Sequence, residues 1–187
     1  MSHSSLNLSG HDLVALSKPA LATLRSALFR EAAESAADCL REAGYAGGVT
    51  VFESFTRWLA ERGAPGPQGL EVEEFERYAS EYFVDAGWGR MTLGALHDAV
   101  MTVDSEDWGE ADPLAALEQP SCHLTTGMLA DFFGRVSETP LAVLEVECRS
   151  AGGERCRFLL GNSEVMTYLY DELEQGGTYD EALARVE

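Results

Sequence analysis

The chain has 187 residues, enough for one well-buried domain and short for two. Its 13 basic against 32 acidic side chains leave a formal charge of −19, and such a surface repels phosphate backbones and anionic lipid, so no nucleic-acid or membrane partner is expected. No apolar run nears the ~20 residues that span a bilayer, and the first residues lack the basic and apolar regions of a signal peptide, so a cytoplasmic protein with reduced cysteines is expected.

Residues 1–16 read as a loose polar lead-in with a short apolar patch at Leu13, Val14 and Leu16. Ser17 followed by Pro19 is a helix-start signal, serine as the cap and proline in the first turn. Residues 17–43 are alanine-rich and unbroken, with Leu21, Leu24, Leu28 and Ala32 stepping at three and four, and Gly44 reads as the stop. A helix of about 24 residues, ~36 Å long by the α-helical rise, serves as a core helix or a dimer interface. A second helix is expected over 48–61, with Val51, Phe55, Trp58 and Leu59 on one face.

The glycines and prolines of 63–69 dictate a loop. A third helix over 71–83 places Val72, Phe75, Tyr78, Ala79, Tyr82 and Phe83 on one stripe, and Gly87 and Gly89 mark its end. Residues 90–103 alternate as a strand would, with a bend near Asp98, and 104–113 is an acidic loop. Ser121 precedes a helix over 122–133, closed by Gly134. The stretch 141–162, LAVLEVECRSAGGERCRFLLGN, reads as a β-hairpin turning at 150–154. Helices over 163–175 and from Thr178 follow. The sum is an α/β (α+β) domain: a small, mostly antiparallel sheet with about six helices on one side of it.

Chemistry concentrates in the hairpin. Cys148 and Cys156 flank the turn with seven residues between them, so they face each other across the strands. Cys122 falls in the first turn of its helix, where the positive end of the dipole favours a thiolate. Thiolate sulfur with one further donor suits a tetrahedral zinc ion. On spacing alone the fourth ligand is open between His123, Glu147 and Glu145. Glu145 precedes Cys148 by three residues, so a regular strand turns the two to opposite faces and only a bulge or twist brings both onto one metal. Three thiolates and a carboxylate around Zn²⁺ carry a formal charge of about −2, for which Arg149, Arg155 and Arg157 are the nearby donors. Cys39, beside Ala36, Ala37 and Leu40, reads as a buried core thiol.

The segment 122–158 resembles the 4-vinyl reductase (4VR) domain family, whose fold is shared with TRAPP vesicle-tethering subunits. The matching residues are Cys122 leading a helix with Thr126-Gly127 and Phe133-Gly134, then Glu145-Val146-Glu147-Cys148, Gly152, Cys156 and Arg157-Phe158. The same domain is the sensor of bacterial phenol- and toluene-responsive activators, in which it binds a small aromatic molecule beside zinc. The resemblance implies a Zn²⁺ ion held by Cys122, Glu145, Cys148 and Cys156, which settles the fourth ligand on Glu145. It also implies a single domain over 17–187 with 122–158 as its zinc-binding core, and a homodimer through the N-terminal helices. An apolar pocket for a hydrophobic or aromatic ligand is expected. His97 and Trp108 are its polar-tipped candidates, with Tyr82, Phe83, Trp88 and Met101 as walls.

Four protein ligands leave a metal no open position, so a structural zinc is expected rather than a catalytic one. The family name suggests an alternative, an accessory protein or enzyme of (bacterio)chlorophyll or tetrapyrrole synthesis. Vinyl reduction needs a hydride source, however, and Gly87-Trp88-Gly89 lacks the follow-on glycine of a nucleotide loop. A protein-interaction module using the long helix and acidic surface is the third reading.

Overall fold

The computed structural model describes residues 6–186; the first five residues of the lead-in and Glu187 lie outside them. Within the lead-in, Ser9–His11 form a short 3-10 turn whose His11 ring is buried, its Nδ1 2.9 Å from Ser54 Oγ. Helix α1, Lys18–Glu31, starts where expected, with the Ser17 hydroxyl accepting from the Ala20 N–H.

The long helix is not unbroken. It parts at Ala32 (φ −144°), and α2, Ala33–Glu61, then runs for 29 residues straight through Gly44 and Gly48. The expected stop at Gly44 is therefore wrong, and the expected second helix is the far half of α2. The physical reason lies in helix α4, His123–Val136. A Cβ at Gly44 would lie 1.9 Å from the Leu124 carbonyl oxygen, and one at Gly127 1.9 Å from that of Arg41. One at Gly48 would lie 2.5 Å from Asp131 Cβ. These glycines let α2 and α4 cross backbone against backbone, a role that local pattern does not separate from a helix stop.

Helix α3, Val72–Asp85, follows the proline loop. Strands β1, Thr92–His97, and β2, Val100–Ser105, turn about Asp98 as expected. The hairpin supplies β3, Ala142–Glu147, and β4, Cys156–Gly161, and the sheet runs β1-β2-β4-β3 with every pair antiparallel. Helices α5, Ser163–Glu174, and α6, Tyr179–Leu183, are capped by the Asn162 and Thr178 side chains.

Helices cover both faces of the sheet, not one. Val103, Phe158 and Leu160 pack with Phe55, Tyr82, Phe83 and Phe132 of α2–α4 in the larger core. Val100 and Leu159 pack with Met166, Leu169 and Leu183 of α5 and α6 in the smaller. The unbroken apolar run Phe158-Leu159-Leu160 is the signature of a strand buried on both sides. Arg157 fastens the smaller layer: its Nε and Nη2 donate to Asp104 at 2.8 and 2.7 Å and its Nη1 to the Tyr179 hydroxyl at 3.2 Å. That hydroxyl donates in turn to Glu147 at 2.6 Å. Among the described residues no helix is long and apolar enough to cross a membrane.

Candidate metal centre

Three pieces of chain meet where the larger core touches the sheet. Cys122 is the N-cap of α4, Glu145 lies on β3, Cys148 just beyond it, and Cys156 opens β4. All four are buried, and one donor atom from each falls within 4.8 Å of all the others. The Cys122 and Cys148 sulfurs are 3.8 Å apart, which matches the ~3.8 Å edge of a tetrahedron with metal–sulfur bonds of ~2.3 Å.

The bulge that the spacing demands is present. Glu145 pairs with Phe158 and Glu147 with Arg157, so Val146 is an extra residue in β3. Side-chain alternation is reset by it. Glu145 points into the larger core, Val146 packs against the smaller one, Glu147 bonds Arg155 and Tyr179, and Cys148 turns back beside Glu145. The two rival fourth ligands point elsewhere. Glu147 is held by Arg155 at 2.9 and 3.0 Å, and the His123 ring lies 5.8 Å from that of Phe29, its Nδ1 3.4 Å from Arg41 Nη1.

Two further expectations are corrected. Cys39 is exposed rather than buried, because its turn of α2 faces away from α4. The arginines beside the hairpin cysteines do not neutralise the cluster: Arg155 and Arg157 reach Asp104 and Glu147. Backbone donors serve the sulfurs instead, the Ser121 N–H toward Cys148 and the Arg149 N–H toward Cys156.

The electrostatics of the cluster lack a cation. Glu145 Oε2 accepts from the Cys122 N–H at 2.7 Å, while Oε1 is buried with no hydrogen-bond partner. Burial, reinforced by the charge on Cys148, pushes the Glu145 carboxyl up to about 9. Hydrogen bonds from the Cys122 and Cys156 thiols draw Cys148 far below the usual thiol range, and Cys122 is held above it in return. A closed group of three sulfurs and an orphaned carboxylate oxygen is a costly thing to bury alone, and a divalent ion at its centre would satisfy every donor. The residues present therefore fit a tetrahedral metal.

The expected pocket residues divide. Tyr82, Phe83 and Trp108 are each at most 1% exposed and in mutual reach, with ring centroids 5.3 Å apart for Tyr82–Phe83 and 5.7 Å for Phe83–Trp108. Trp88 stacks on the outside of Trp108 at 5.8 Å, and Trp108 touches Phe158 at 6.1 Å, next to the cysteines. His97 and Met101 are not part of this cluster: His97 lines a shallow cleft of about 220 Å³ against α6, and Met101 is 42% exposed. Period-2 alternation placed them on a strand but not relative to α6 or the sheet end.

Sequence reading missed a buried polar group beside the cluster. Glu110 accepts from the Leu124 and Thr125 N–H groups at 3.2 and 2.7 Å and from the Thr125 hydroxyl at 2.6 Å, capping α4 from the preceding loop. Burial lifts its carboxyl above the ordinary range although Arg25 and Thr125 oppose this. No local spacing marks a cap that comes from so far upstream.

Residues 101–162 match the vinyl-4-reductase (4VR) domain, a span that contains all four cluster residues. Three solved structures share the fold. The phenol-responsive sensory domain of the transcription activator PoxR with phenol is 19% identical, with a TM-score of 0.63 over 88% of this chain and 82% of that one. A vinyl-4-reductase family protein from Methanocaldococcus jannaschii is 14% identical, with a TM-score of 0.52 over 82% of this chain and 87% of that one. A trafficking protein particle complex subunit 3 from Naegleria fowleri, covalently bound to palmitic acid, is 11% identical, with a TM-score of 0.58 over 77% of this chain and 91% of that one. Among curated proteins none matches the chain. The chain thus has a vinyl-4-reductase-domain fold, related to phenol-sensor and TRAPP-type domains, with a candidate metal-binding cluster at its core.

Proposed function

We propose that this chain is a ligand-sensing domain that takes a small apolar or aromatic molecule beside a structural zinc ion. The observation that carries the reading is the continuity of the closed Cys122–Glu145–Cys148–Cys156 cluster with the aromatic rings of Phe158, Trp108 and Phe83. The likeness to the PoxR sensory domain, whose structure contains phenol, supports it. Zinc suits three sulfurs and one carboxylate better than a hard cation does, and four protein donors leave no open position, so the metal staples α4 to the hairpin. We read residues 17–187 as one domain with 122–158 as its metal-binding core, working in the reducing cytoplasm, where the thiols stay free.

The rings of the cluster are close-packed, so a ligand enters by displacing one. Trp88 is the outermost and is flanked by Gly87 and Gly89 at φ +83° and +122°, a backbone that only glycine adopts freely. Trp88 and Trp108, with Tyr82 and Phe83 behind them, are the proposed ligand walls. Dimerisation through α1 and α2 belongs to the same reading, since Val14, Leu16 and Leu24 are 93%, 54% and 59% exposed on that side.

The filled state of the aromatic core favours a second reading, a protein-interaction module without a small ligand. Tryptophan fluorescence and thermal shift with phenol and with palmitate separate the two. Saturable quenching and a raised melting temperature with phenol, lost in Trp108→Ala, are expected; no response to either probe would leave the interaction module.

A further inference from the structure

Arg25 is the one fully buried residue of α1, whose leucines are half-buried or exposed. Its guanidinium donates to the Glu110 carbonyl at 2.6 Å, to the Ser121 carbonyl at 2.5 Å and to Ser121 Oγ at 3.1 Å. Its Nε lies 3.3 Å from the Glu110 carboxylate, which is itself the cap of α4. One side chain from α1 thus ties the two ends of the 106–121 loop together, and the second end, Ser121, is bonded to Cys122. The Cys122 N–H is already engaged by Glu145.

We infer that Arg25 is a positioning residue that couples the seating of α1 to the seating of Cys122 in the metal centre. The inference rests on the metal reading above. Without the guanidinium, the Ser121 carbonyl and the Glu110 carboxylate both lose a buried partner, and the backbone leading into Cys122 loses its only charged anchor to α1 among the described residues. In the other direction, a metal that fixes Cys122 fixes the Ser121 carbonyl where Arg25 needs it. Coupling of this kind is reciprocal: what α1 does for the metal, the metal does for α1. Lysine cannot replace the function fully, because only the planar fork reaches both ends of the loop at once.

The test uses the full chain as wild type, Arg25→Met and Arg25→Lys, with Leu169→Ala as a control that destabilises the opposite layer. Zinc affinity is read by competition with a chromophoric chelator, coordination by the thiolate-to-cobalt absorption of the Co²⁺-loaded protein, and α1 by amide hydrogen exchange with and without chelator. In Arg25→Met, zinc affinity is expected to fall by ~10-fold or more, with an altered cobalt spectrum. Arg25→Lys is expected to be intermediate, and Leu169→Ala to keep wild-type affinity despite a lower melting temperature. Chelation is expected to speed exchange over residues 18–31 in the wild type and to have little further effect in Arg25→Met. A wild type that binds no metal would overturn the metal reading itself. A metal-binding wild type matched in affinity by Arg25→Met, or an α1 indifferent to chelation, would overturn the coupling alone. Should Arg25→Met fail to fold, Arg25→Lys and Glu110→Gln carry the same comparison.

Discussion

Replacing Gly127 by alanine probes the contact that holds α4, and with it Cys122, against the rest of the molecule. The added Cβ would sit 1.9 Å from the Arg41 carbonyl oxygen and 2.8 Å from the Tyr45 nitrogen. Both are backbone atoms, so neither can swing aside. An ordinary carbon–oxygen contact needs ~3.3 Å, so the helices must part by ~1.4 Å at the crossing and loosen Phe55 and Phe132 beyond it; overpacking of this severity costs ~3 kcal/mol. For a domain of this size that is a fall in melting temperature of ~6–12 °C. Gly47→Ala on the facing helix α2 is the control, because its Cβ meets nothing within 4 Å; helix propensity there favours alanine by ~0.5–1 kcal/mol. Thermal denaturation of the two variants against wild type is the assay. A Gly127→Ala protein as stable as wild type, or a Gly47→Ala protein as damaged as Gly127→Ala, would refute the backbone-to-backbone crossing.

Other expected outcomes follow from single residues. Glu145→Gln removes the anionic oxygen donor and should weaken zinc by more than the ~10-fold typical of an outer-sphere loss, while Glu147→Gln should leave zinc affinity near wild type; chelator competition compares them. Burial pushes the Tyr82 hydroxyl up to about 12, its O–H donating to the Val51 carbonyl at 3.2 Å. Because the folded value lies above the unfolded value of ~10, the stability it contributes is full below pH ~10 and lost as pH rises toward 12, a loss of ~2–3 kcal/mol. Tyr82→Phe should flatten that alkaline fall in chemical-denaturation midpoints, and identical pH profiles would count against it. Cys39→Ser, at an exposed position, should change neither melting temperature nor metal content, as checked by calorimetry and metal analysis.

How far the chain could be read in advance depended on whether the governing contact was local. The hairpin was legible because its turn, its alternation and its paired cysteines lie within one short stretch, and the need for a bulge between Glu145 and Cys148 followed from strand geometry alone. Starts of α1, α5 and α6 were legible from capping side chains. Gly44 and Gly48 misled because a glycine that ends a helix and one that admits another helix look alike until the partner, Gly127, is in place. The break at Ala32 carries no proline or glycine; α1 leaves the path of α2 with its Arg25 held by Glu110 and Ser121. His97 and Met101 were grouped with the aromatic cluster by residue type, and only the sheet order and α6 separate them from it. The Glu110 cap joins residues far apart in the chain, where no period or motif reports it.

Native mass spectrometry of the purified chain, before and after a strong chelator and alongside a melting curve, tests the metal centre most directly. One zinc ion per chain is expected, lost with the chelator together with a drop in melting temperature and faster exchange in β3, β4 and the start of α4. A metal-free chain whose melting is indifferent to chelator and to added zinc would contradict a centre built from Cys122, Glu145, Cys148 and Cys156.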